Sequence, residues 1–428
     1  MITEKKAYPL EEGKINFLVL AVSTVILVFF AVMAHQVEVQ TFIAPPVTNG
    51  LGPIVISTTT EEGYSATTTV VVATTTATTS TPVKPKPSTP ATVPIPSPLL
   101  DVGHAVGIAG GGELSKISSS GLKRQLDQMV DLGITWIRFD IEWGLVQYST
   151  PTKSNWASYD TLVKAANAHK LNSLAILLFT PEWARDSACR GGAKCPPKNP
   201  AQFATFAVEA VNRYKNMGVH HWEIWNEPNN YAFWATKADC VAYTQLLKAT
   251  YPAIKKADPK AVVVLGGLSP GVTDNNNISP LDFLECVYKN GGKNYFDAVG
   301  DHPYTFPELP SGHRDNTWGQ MSTAPRNLRS IMVAYGDSNK KIWITEYGAP
   351  TNGPDSRRFV SEDRQGQIVT DALRLYKGYD WVGPLFWYSL KDNGTATTSS
   401  ENFFGLTYAD STEKPAYFTM KSVISAGL

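Results

Sequence analysis

Short apolar segments alternate with amphipathic segments along the chain from residue 101 to its end. Apolar runs of strand length occur eight times, over residues 105–109, 135–140, 173–179, 221–225, 261–266, 298–302, 341–345 and 384–388. Apolar positions at helical spacing predict helices that include 120–132, 201–217, 241–257, 362–376 and 416–426. Eight strands that alternate with helices predict an α/β fold, a closed parallel (β/α)8 TIM barrel over residues 101–428. An open doubly wound sheet is the alternative, but no GxGxxG loop follows any of the strands.

The region before residue 101 has a different pattern. Residues 15–33 form an almost unbroken apolar run without charge, close to the roughly 20 residues that span a bilayer. Three lysines precede this run, and no Lys or Arg follows it until Lys84. The positive-inside rule therefore predicts a cytoplasmic N-terminus at 1–14 and a single-pass membrane anchor at 15–34, with the rest of the chain extracytoplasmic. A signal peptide cleaved near Ala34, which would release a secreted protein, is the alternative.

Residues 35–100 predict a stalk between the anchor and the barrel. From Ser57 to Ser97 the composition shifts to Thr, Val, Pro and Ser. Such a segment cannot bury enough apolar surface to offset the entropy of ordering it. Its prolines should keep it semi-extended. The sequence thus predicts a disordered linker that holds the next domain away from the membrane.

Composition and charge narrow the classes of function. The chain has 428 residues, of which 43% are hydrophobic, so it can form a sizeable core. Acidic and basic residues number 38 each, and no basic block is present. This balance argues against a nucleic acid as partner.

The four cysteines all follow the stalk, which agrees with an oxidising compartment. Cys189 and Cys195 flank a short loop, and Cys240 and Cys286 begin or lie within two successive predicted helices. Three pairings are possible, and we prefer Cys189 with Cys195 and Cys240 with Cys286. A zinc site is the alternative, but paired CxxC spacing and neighbouring histidines are absent from the sequence.

Two glutamates end predicted strands. Glu227 closes the fourth strand, in HWEIWNEPN, and Glu346 closes the seventh, in KIWITEYG. Ile342, Ile344 and Glu346 share one parity, which predicts that Glu346 projects into the mouth of the barrel. Two opposed carboxylates at the carboxyl ends of barrel strands suit glycosidic bond cleavage. A gap of about 5–5.5 Å would give retention of configuration, and one of about 6.5–9.5 Å would give inversion.

These segments resemble the motifs of the large clan of retaining glycoside hydrolases, which includes cellulase-like and β-xylosidase-like families. The tetrad WNEP at 225–228 is similar to the acid/base motif of that clan, and ITEYG at 344–348 to its nucleophile motif. The resemblance implies that Glu227 is the general acid/base and Glu346 the nucleophile. It also implies that Asn226 binds the sugar 2-hydroxyl.

Other residues join the site through the same resemblance. Arg138 matches the arginine that keeps the nucleophile ionised, although it could instead pair with Asp140 or Glu142. The segment 302–304 matches a His-x-Tyr element, which implies that His302 lies in the site and that Tyr304 touches the nucleophile; His302 as a core histidine is the alternative. Trp387 matches the aromatic floor of the sugar subsite. Trp143 and Trp183 lie near strand ends and are candidates either for sugar stacking or for packing.

Some residues distinguish the families within the clan. Glu223 and Asn229 favour the β-xylosidase-like family, whereas Phe179 starts a segment that lacks the histidine of many cellulase-like members after the third strand. The substrate therefore cannot be copied from either family.

The sequence predicts a membrane-anchored, extracytoplasmic retaining glycosidase that acts on a β-linked polysaccharide or oligosaccharide. Double displacement by two carboxylates requires neither a cofactor nor a metal. We expect a monomer whose partners are the glycan and, through the N-terminal helix, the membrane. A transglycosidase and a non-catalytic carbohydrate-binding barrel are the alternatives.

Overall fold

The structure is a computed structural model that describes residues 103–427, together with two short strands before them. The chain divides into two units, Met1–Pro90 and Ala91–Leu428. In the first unit, Thr58–Thr59 pairs antiparallel with Ser65–Ala66. The predicted segments 1–14 and 15–34, and nearly all of 35–100, lie outside the described residues. Within the described part, we find no helix with the length and apolarity that a bilayer crossing requires.

The second unit contains a closed barrel of eight parallel strands, which confirms the predicted fold. Each strand pairs with the next one along the chain, and the last pairs with the first. The strands are β1 Val106–Gly111, β2 Trp136–Glu142, β3 Asn172–Leu178, β4 His221–Ile224, β5 Val262–Leu268, β6 Ala298–Asp301, β7 Lys341–Tyr347 and β8 Val382–Trp387. All eight strands fall within a few residues of the predicted runs. The open-sheet alternative is wrong, because β8 closes onto β1.

Helices surround the barrel, and their ends follow local sequence signals. Asp239 accepts hydrogen bonds from the backbone N–H groups of Val241 and Ala242 and so caps one helix. The α-helices are α1 Ser119–Asp131, α2 Trp143–Val146, α3 Ala157–Ala168, α4 Pro200–Tyr214, α5 Cys240–Ala257, α6 Pro280–Lys289, α7 Thr317–Ser322, α8 Leu328–Ala334, α9 Glu362–Lys377 and α10 Pro415–Ser425. The five predicted helices match α1, α4, α5, α9 and α10.

Both preferred disulfides are confirmed. Cys189 is bonded to Cys195 within the loop after β3, and Cys240 to Cys286 between α5 and α6. The zinc alternative is therefore wrong, since disulfide sulfurs are not available as thiolate ligands.

The lower half of the barrel interior is packed with aromatic rings. Trp136 of β2 makes edge contacts with Trp343 of β7, Phe386 of β8 and His221 of β4. Small residues fill the remaining space, and where β8 passes Trp343 the chain has Gly383, whose position leaves no room for a Cβ atom. This apolar layer is a packed floor, so the interior is open only at the carboxyl ends of the strands.

Strand parity predicts the wrong inward-facing residues on β7, although Glu346 does point into the mouth of the barrel as predicted. Trp343 faces the barrel interior, whereas Ile342 and Ile344 pack outward against the helices. Regular alternation would therefore turn Glu346 outward as well. Between Ile344 and Tyr347, however, β7 contains one residue more than the paired stretch of β8. A bulge of this kind re-aims a side chain, and here Glu346 points into the mouth of the barrel.

Candidate active site

A cavity of about 620 Å³ opens at the carboxyl ends of the strands. Both Glu227 and Glu346 line it, together with Asn226 and Tyr304. The four side chains come from the ends of β4, β6 and β7 and from the loops that follow. The structure thus brings together residues that are more than 100 positions apart in the sequence.

Glu346 is held by two strong donors. Arg138 donates from Nη1 to Oε1 of Glu346 at 2.5 Å, and the hydroxyl of Tyr304 donates to Oε2 at 2.8 Å. Burial by itself raises the pKa of this carboxyl, but the positive charges of His302 and Arg138 and the bond from Tyr304 outweigh it. The pKa of Glu346 is therefore held below its ordinary value, and the group stays ionised at neutral pH.

Arg138 lies at the centre of a buried network and is fully buried itself. Its Nε and Nη2 donate to the two carboxylate oxygens of Glu223, at 2.7 and 3.1 Å, and Nη2 also donates to Oδ1 of Asn226 at 2.9 Å. Burial alone would lower the pKa of Arg138, but Glu223 and Glu346 raise it. The suggested pairing with Asp140 or Glu142 is wrong, because Arg138 forms its ion pairs with Glu223 and Glu346.

Glu223 is a site residue that the sequence argument did not assign. It lies on β4 two residues after His221, so both side chains face the barrel interior. Its Oε1 also accepts a hydrogen bond from the backbone N–H of Gly267 at 2.7 Å. The signal that could have found it is a charged residue at an inward position of a central strand, where a charge requires a partner.

Glu227 lies just beyond β4, where the backbone takes an uncommon conformation. Trp225 and Glu227 have φ angles of 69° and 46°, in the left-handed region that non-glycine residues rarely adopt. Strain of this kind is concentrated at functional sites. The backbone N–H of Glu227 donates to the carbonyl of Gly267 on β5 at 3.0 Å, which fixes this turn against the neighbouring strand.

The side chain of Glu227 contacts an imidazole and an amide, whereas that of Glu346 is bound by a guanidinium and a phenol. Its Oε1 lies 3.0 Å from Nδ1 of His302, and its Oε2 accepts a hydrogen bond of 3.2 Å from the Asn230 amide. Oε2 of Glu346 lies 3.6 Å from the same His302 nitrogen. One imidazole therefore stands between the two carboxylates.

His302 is fully buried and fixed on its other side by Thr345. Its Nε2 lies 3.1 Å from the Thr345 hydroxyl. Gly267 packs against this pair, and only a glycine fits there, because a Cβ at this position would lie 2.1 Å from Nε2. Burial lowers the pKa of His302, but the charges of Glu346 and Glu227 raise it above its ordinary value overall. His302 thus belongs to the site and carries a positive charge at mildly acidic pH.

The two carboxylates and the imidazole each offer one atom within 4.8 Å of the others. Such a trio could in principle hold a cation. Metal binding, however, requires a neutral imidazole, and here the pKa of His302 is raised and Arg138 already neutralises Glu346. The chemistry of this donor set fits a hydrogen-bond network better than a metal site.

Three predicted aromatic residues lie away from the cavity. Trp387 is buried in the outer core with its ring edge against Tyr347, and the neighbouring Tyr388 lines the cavity instead. Trp143 is fully buried and stacks on Phe206 of α4. Trp183 packs edge-on against Trp143 and donates from its indole N–H to the backbone carbonyl of Gln147, a residue that also accepts from Trp143. These three rings therefore pack in the core and do not line the cavity for sugar stacking.

Asp140 and Glu401 are cavity residues that the sequence argument did not assign. Burial and the nearby Glu346 raise the pKa of Asp140 to about 7, although Arg138 lowers it. Burial likewise raises the pKa of Glu401, which accepts a hydrogen bond of 3.2 Å from the Tyr388 hydroxyl. Both lie in loop or strand-end sequence without a recognisable motif, and only the folded barrel brings them beside the glutamate pair.

A parallel eight-stranded barrel with two carboxylates at its mouth is the arrangement that clan A glycoside hydrolases have. Residues 108–389 match the family model described as cellulase, glycosyl hydrolase family 5. The chain therefore belongs to glycosyl hydrolase family 5, and it is a glycoside hydrolase.

Solved structures share this fold. A family 39 glycoside hydrolase from the gut symbiont Bacteroides cellulosilyticus matches with a TM-score of 0.60 and 22% identity, over 75% of this chain and 63% of that one. A monomeric β-xylosidase from Caulobacter crescentus gives 0.57 and 22%, over 75% and 68%. A family 5 enzyme from Streptomyces cattleya, in complex with GlcNAc, gives 0.56 and 12%, over 76% and 80%. The chain thus spans less than two thirds of the length of the Bacteroides enzyme.

Proposed function

We propose that the protein hydrolyses β-glycosidic bonds with retention of configuration, by double displacement at Glu346 and Glu227. The observation that carries this proposal is the pair of carboxylates that share one imidazole, with ligand atoms within 4.8 Å of one another. This closeness agrees better with the spacing of about 5–5.5 Å in retaining enzymes than with that of about 6.5–9.5 Å in inverting ones.

In the first step, the ionised Glu346 attacks the anomeric carbon and forms a glycosyl ester. The bond between that carbon and the leaving oxygen breaks, and Glu227 gives its proton to the oxygen. Arg138 and Tyr304 are well placed for this role of Glu346, because they stabilise its charge before the attack and fix its two oxygens. Asn226, whose Oδ1 is held by Arg138, is left with its amide N–H groups free to donate to the sugar.

In the second step, the now ionised Glu227 takes a proton from a water molecule, and the resulting hydroxide oxygen attacks the anomeric carbon. The ester bond breaks, and Glu346 regains its charge. Glu227 must therefore exchange a proton twice in each cycle. Its partners are an imidazole and an amide, and not an arginine as for Glu346.

The substrate in this proposal is a β-linked oligosaccharide or polysaccharide. The cavity wall carries five carboxylates and one guanidinium, those of Glu113, Asp140, Glu227, Glu346, Glu401 and Arg358. Arg138 neutralises Glu346, and burial raises the pKa values of Asp140 and Glu401, so the wall carries less negative charge than its number of carboxylates. The β-xylosidase from Caulobacter and the cellulase family name suggest β-xylosides and β-glucosides as first probes.

The location in this proposal is extracytoplasmic, with the barrel tethered to a membrane by residues 15–34. The apolar run at 15–33 and the lysines before it support this, as do the two disulfides, which persist in oxidising compartments. The wall or surface glycan of the producing cell is then the nearest substrate. Fractionation with an antibody to the barrel would test it, and a fully released, shortened protein would favour signal cleavage instead.

The test of the reaction uses aryl β-xylosides and β-glucosides. We expect wild-type protein to release the β-anomer first, as seen by proton NMR before mutarotation, and Glu346→Gln and Glu227→Gln to lose most turnover. Glu182→Gln, at a strongly exposed carboxylate, is the matched control and should keep full turnover. Release of the α-anomer, or undiminished turnover in either site variant, would refute double displacement.

A further inference from the structure

The two disulfides differ in the length of chain that they close. Cys189 and Cys195 are 6 residues apart and form the disulfide loop, residues 189–195, whereas Cys240 and Cys286 are 46 residues apart. A disulfide stabilises a fold mainly by restricting the unfolded chain, and this effect grows with the length of the closed loop. We therefore expect the short disulfide to contribute less to global stability than the long one. Any further effect of the short disulfide must come from the local structure that it fixes.

The disulfide loop packs against the acid/base segment, residues 225–235, which follows β4. The backbone N–H of Ala235 donates to the carbonyl of Lys194 at 3.0 Å, and Sγ of Cys189 lies 3.8 Å from the carbonyl oxygen of Ala235. Gly191 lies directly against Ala235, since a Cβ added at Gly191 would lie 2.0 Å from the Ala235 Cβ. Only a glycine permits so close an approach. The disulfide loop and the acid/base segment are thus in direct contact.

A second contact between the two segments joins the side chains of Lys194 and Phe233. Nζ of Lys194 lies 4.6 Å from the centre of the Phe233 ring, and Phe233 lines the catalytic cavity. A cation over an aromatic face is attracted by the negative potential of that face. The disulfide loop therefore supports a wall of the cavity, although none of its own residues lines that cavity.

Three hydrogen bonds connect Phe233 with the turn that carries Glu227. The carbonyl of Phe233 accepts from the Trp225 indole at 2.8 Å, and its N–H donates to the carbonyl of Asn230 at 2.9 Å. The amide of Asn230 donates to Oε2 of Glu227 at 3.2 Å. Trp225 and Glu227 have left-handed backbone, a strained conformation that persists only where surrounding contacts hold it. A displacement of Phe233 would therefore reach the carboxyl group of Glu227.

We propose that the disulfide between Cys189 and Cys195 is a positioning device for Glu227. It holds the end of the acid/base segment that contains Phe233 and Ala235, and so keeps the carboxyl group aligned with the oxygen of the leaving group. This inference rests on the proposed function, since it takes the proton transfer from the role of Glu227. The disulfide loop lies outside the cavity, so its effect reaches the reaction only through the acid/base segment.

The test removes the short disulfide in the double variant Cys189→Ser/Cys195→Ser and compares two substrates. Phenyl β-glycosides need a proton from the acid, whereas dinitrophenyl β-glycosides leave without one. We expect kcat/KM to fall about tenfold more on the phenyl than on the dinitrophenyl substrate, because a misplacement of about 1 Å in a catalytic group costs up to about 100-fold. The ratio of the two kcat/KM values is independent of the fraction of folded protein, which a merely structural role would change.

The matched control is the double variant Cys240→Ser/Cys286→Ser, which removes the long disulfide. This disulfide joins α5 to α6, and within the described residues neither cysteine forms a hydrogen bond to the acid/base segment. We expect the control variant to have the larger fall in Tm, because it opens the longer loop. It should nevertheless keep the wild-type ratio of the two substrates.

A reversible form of the test uses the control variant, in which only the short disulfide remains. A dithiol reductant breaks the S–S bond, which leaves two thiols at Cys189 and Cys195, and is itself oxidised to a cyclic disulfide. Cys189 is partly exposed, so the reductant can reach the bond. The ratio should fall on reduction and return on reoxidation, a result that does not depend on the folding of the Cys189→Ser/Cys195→Ser variant.

Three outcomes would overturn the positioning role. They are an equal loss on both substrates without the short disulfide, no loss on either, and the same fall in the ratio without the long disulfide. Failure of the proposed function would be seen separately, because Glu227→Gln would then keep the wild-type ratio of the two substrates.

Discussion

The two active-site glutamates stand in opposite surroundings although they share one cavity. Glu346 accepts hydrogen bonds from the Arg138 guanidinium and the Tyr304 phenol, and the charge of His302 together with these two donors holds its pKa below the ordinary value. Glu227 is bound by the His302 imidazole and by a neutral amide. A carboxylate that attacks carbon must stay ionised and fixed, whereas one that transfers protons must alternate between two states. The difference in partners therefore supports the proposed roles, with Glu346 as nucleophile and Glu227 as general acid/base.

The same contrast extends to how each glutamate is positioned. Glu346 lies on a strand and reaches the cavity through a bulge in β7. Glu227 lies after β4, in a turn with left-handed backbone at two residues, and is tied to β5 through Gly267. Each side of the cavity thus depends on a departure from regular strand geometry.

Removal of the Glu346 carboxylate should have the largest effect on turnover, and it tests the contrast between the two glutamates most directly. Glu346→Gly should lower kcat on aryl β-glycosides by about 10⁴-fold or more, the size typical of a lost nucleophile. Azide should restore turnover by entering on the face that the carboxylate left, which inverts the anomeric carbon once and gives an α-glycosyl azide. Proton NMR of the product checks the anomer. A β-glycosyl azide would show that Glu346 is not the nucleophile.

Removal of the Glu227 carboxylate should have a smaller effect that depends on the leaving group. Glu227→Gly should lose about 10²- to 10⁴-fold on poor leaving groups and much less on dinitrophenyl glycosides, which leave without a proton. Azide should here attack the glycosyl ester on Glu346, and two inversions give a β-glycosyl azide. Equal losses across a series of leaving-group pKa values would contradict the acid role.

Loss of one donor to Glu346 should have an intermediate effect. Tyr304→Phe removes the hydroxyl that donates to Oε2 at 2.8 Å while it keeps the ring. A hydrogen bond to a charged group is worth about 1.5–3 kcal/mol, which corresponds to about 10- to 100-fold in kcat/KM. The pKa of Glu346 should rise, so the acid limb of the pH–rate profile should move to higher pH. The matched variant Tyr388→Phe loses a bond to Glu401 instead, and should leave that limb in place.

The smallest expected effect is that of His302 on the pH dependence of the free energy of unfolding. Its pKa is raised in the folded protein, so its contribution to the free energy of unfolding is full below the unfolded pKa of about 6.5 and is lost as pH rises through the folded value. His302→Asn should flatten this decline above about pH 6.5. Chemical denaturation across that range measures it, with His313→Asn on an exposed loop as control.

If His302→Asn leaves the decline unchanged, the imidazole is not the group that titrates. The other titratable groups that interact with it are Glu346, Glu227, Arg138 and the buried Asp301, whose pKa burial raises to about 8. Such a result would mean that the imidazole does not contribute to the difference between the two glutamates. Arg138 and Tyr304 alone would then account for that difference.

The sequence by itself predicted the barrel and the location of the two glutamates, whereas it left three disulfide pairings possible and only favoured the one that the structure contains. Eight apolar runs separated by amphipathic helices leave few architectures other than a closed parallel sheet. The motifs around Glu227 and Glu346 are local, and strand ends can be read from local pattern. Arg138, Asn226, His302 and Tyr304 were assigned to the site through the resemblance to the motifs of the glycoside hydrolase clan.

Only the tertiary structure decided which side chains face the cavity and which partners they have. The bulge that turns Glu346 inward is visible only in the pairing of β7 with β8, so strand parity gave the wrong facing residues. The same one-residue uncertainty separates Tyr388, which lines the cavity, from the buried Trp387. Glu223 became a partner of Arg138 only when β2 and β4 closed around the same interior. Register and long-range ion pairs arise between segments far apart in the chain, and no local pattern encodes them.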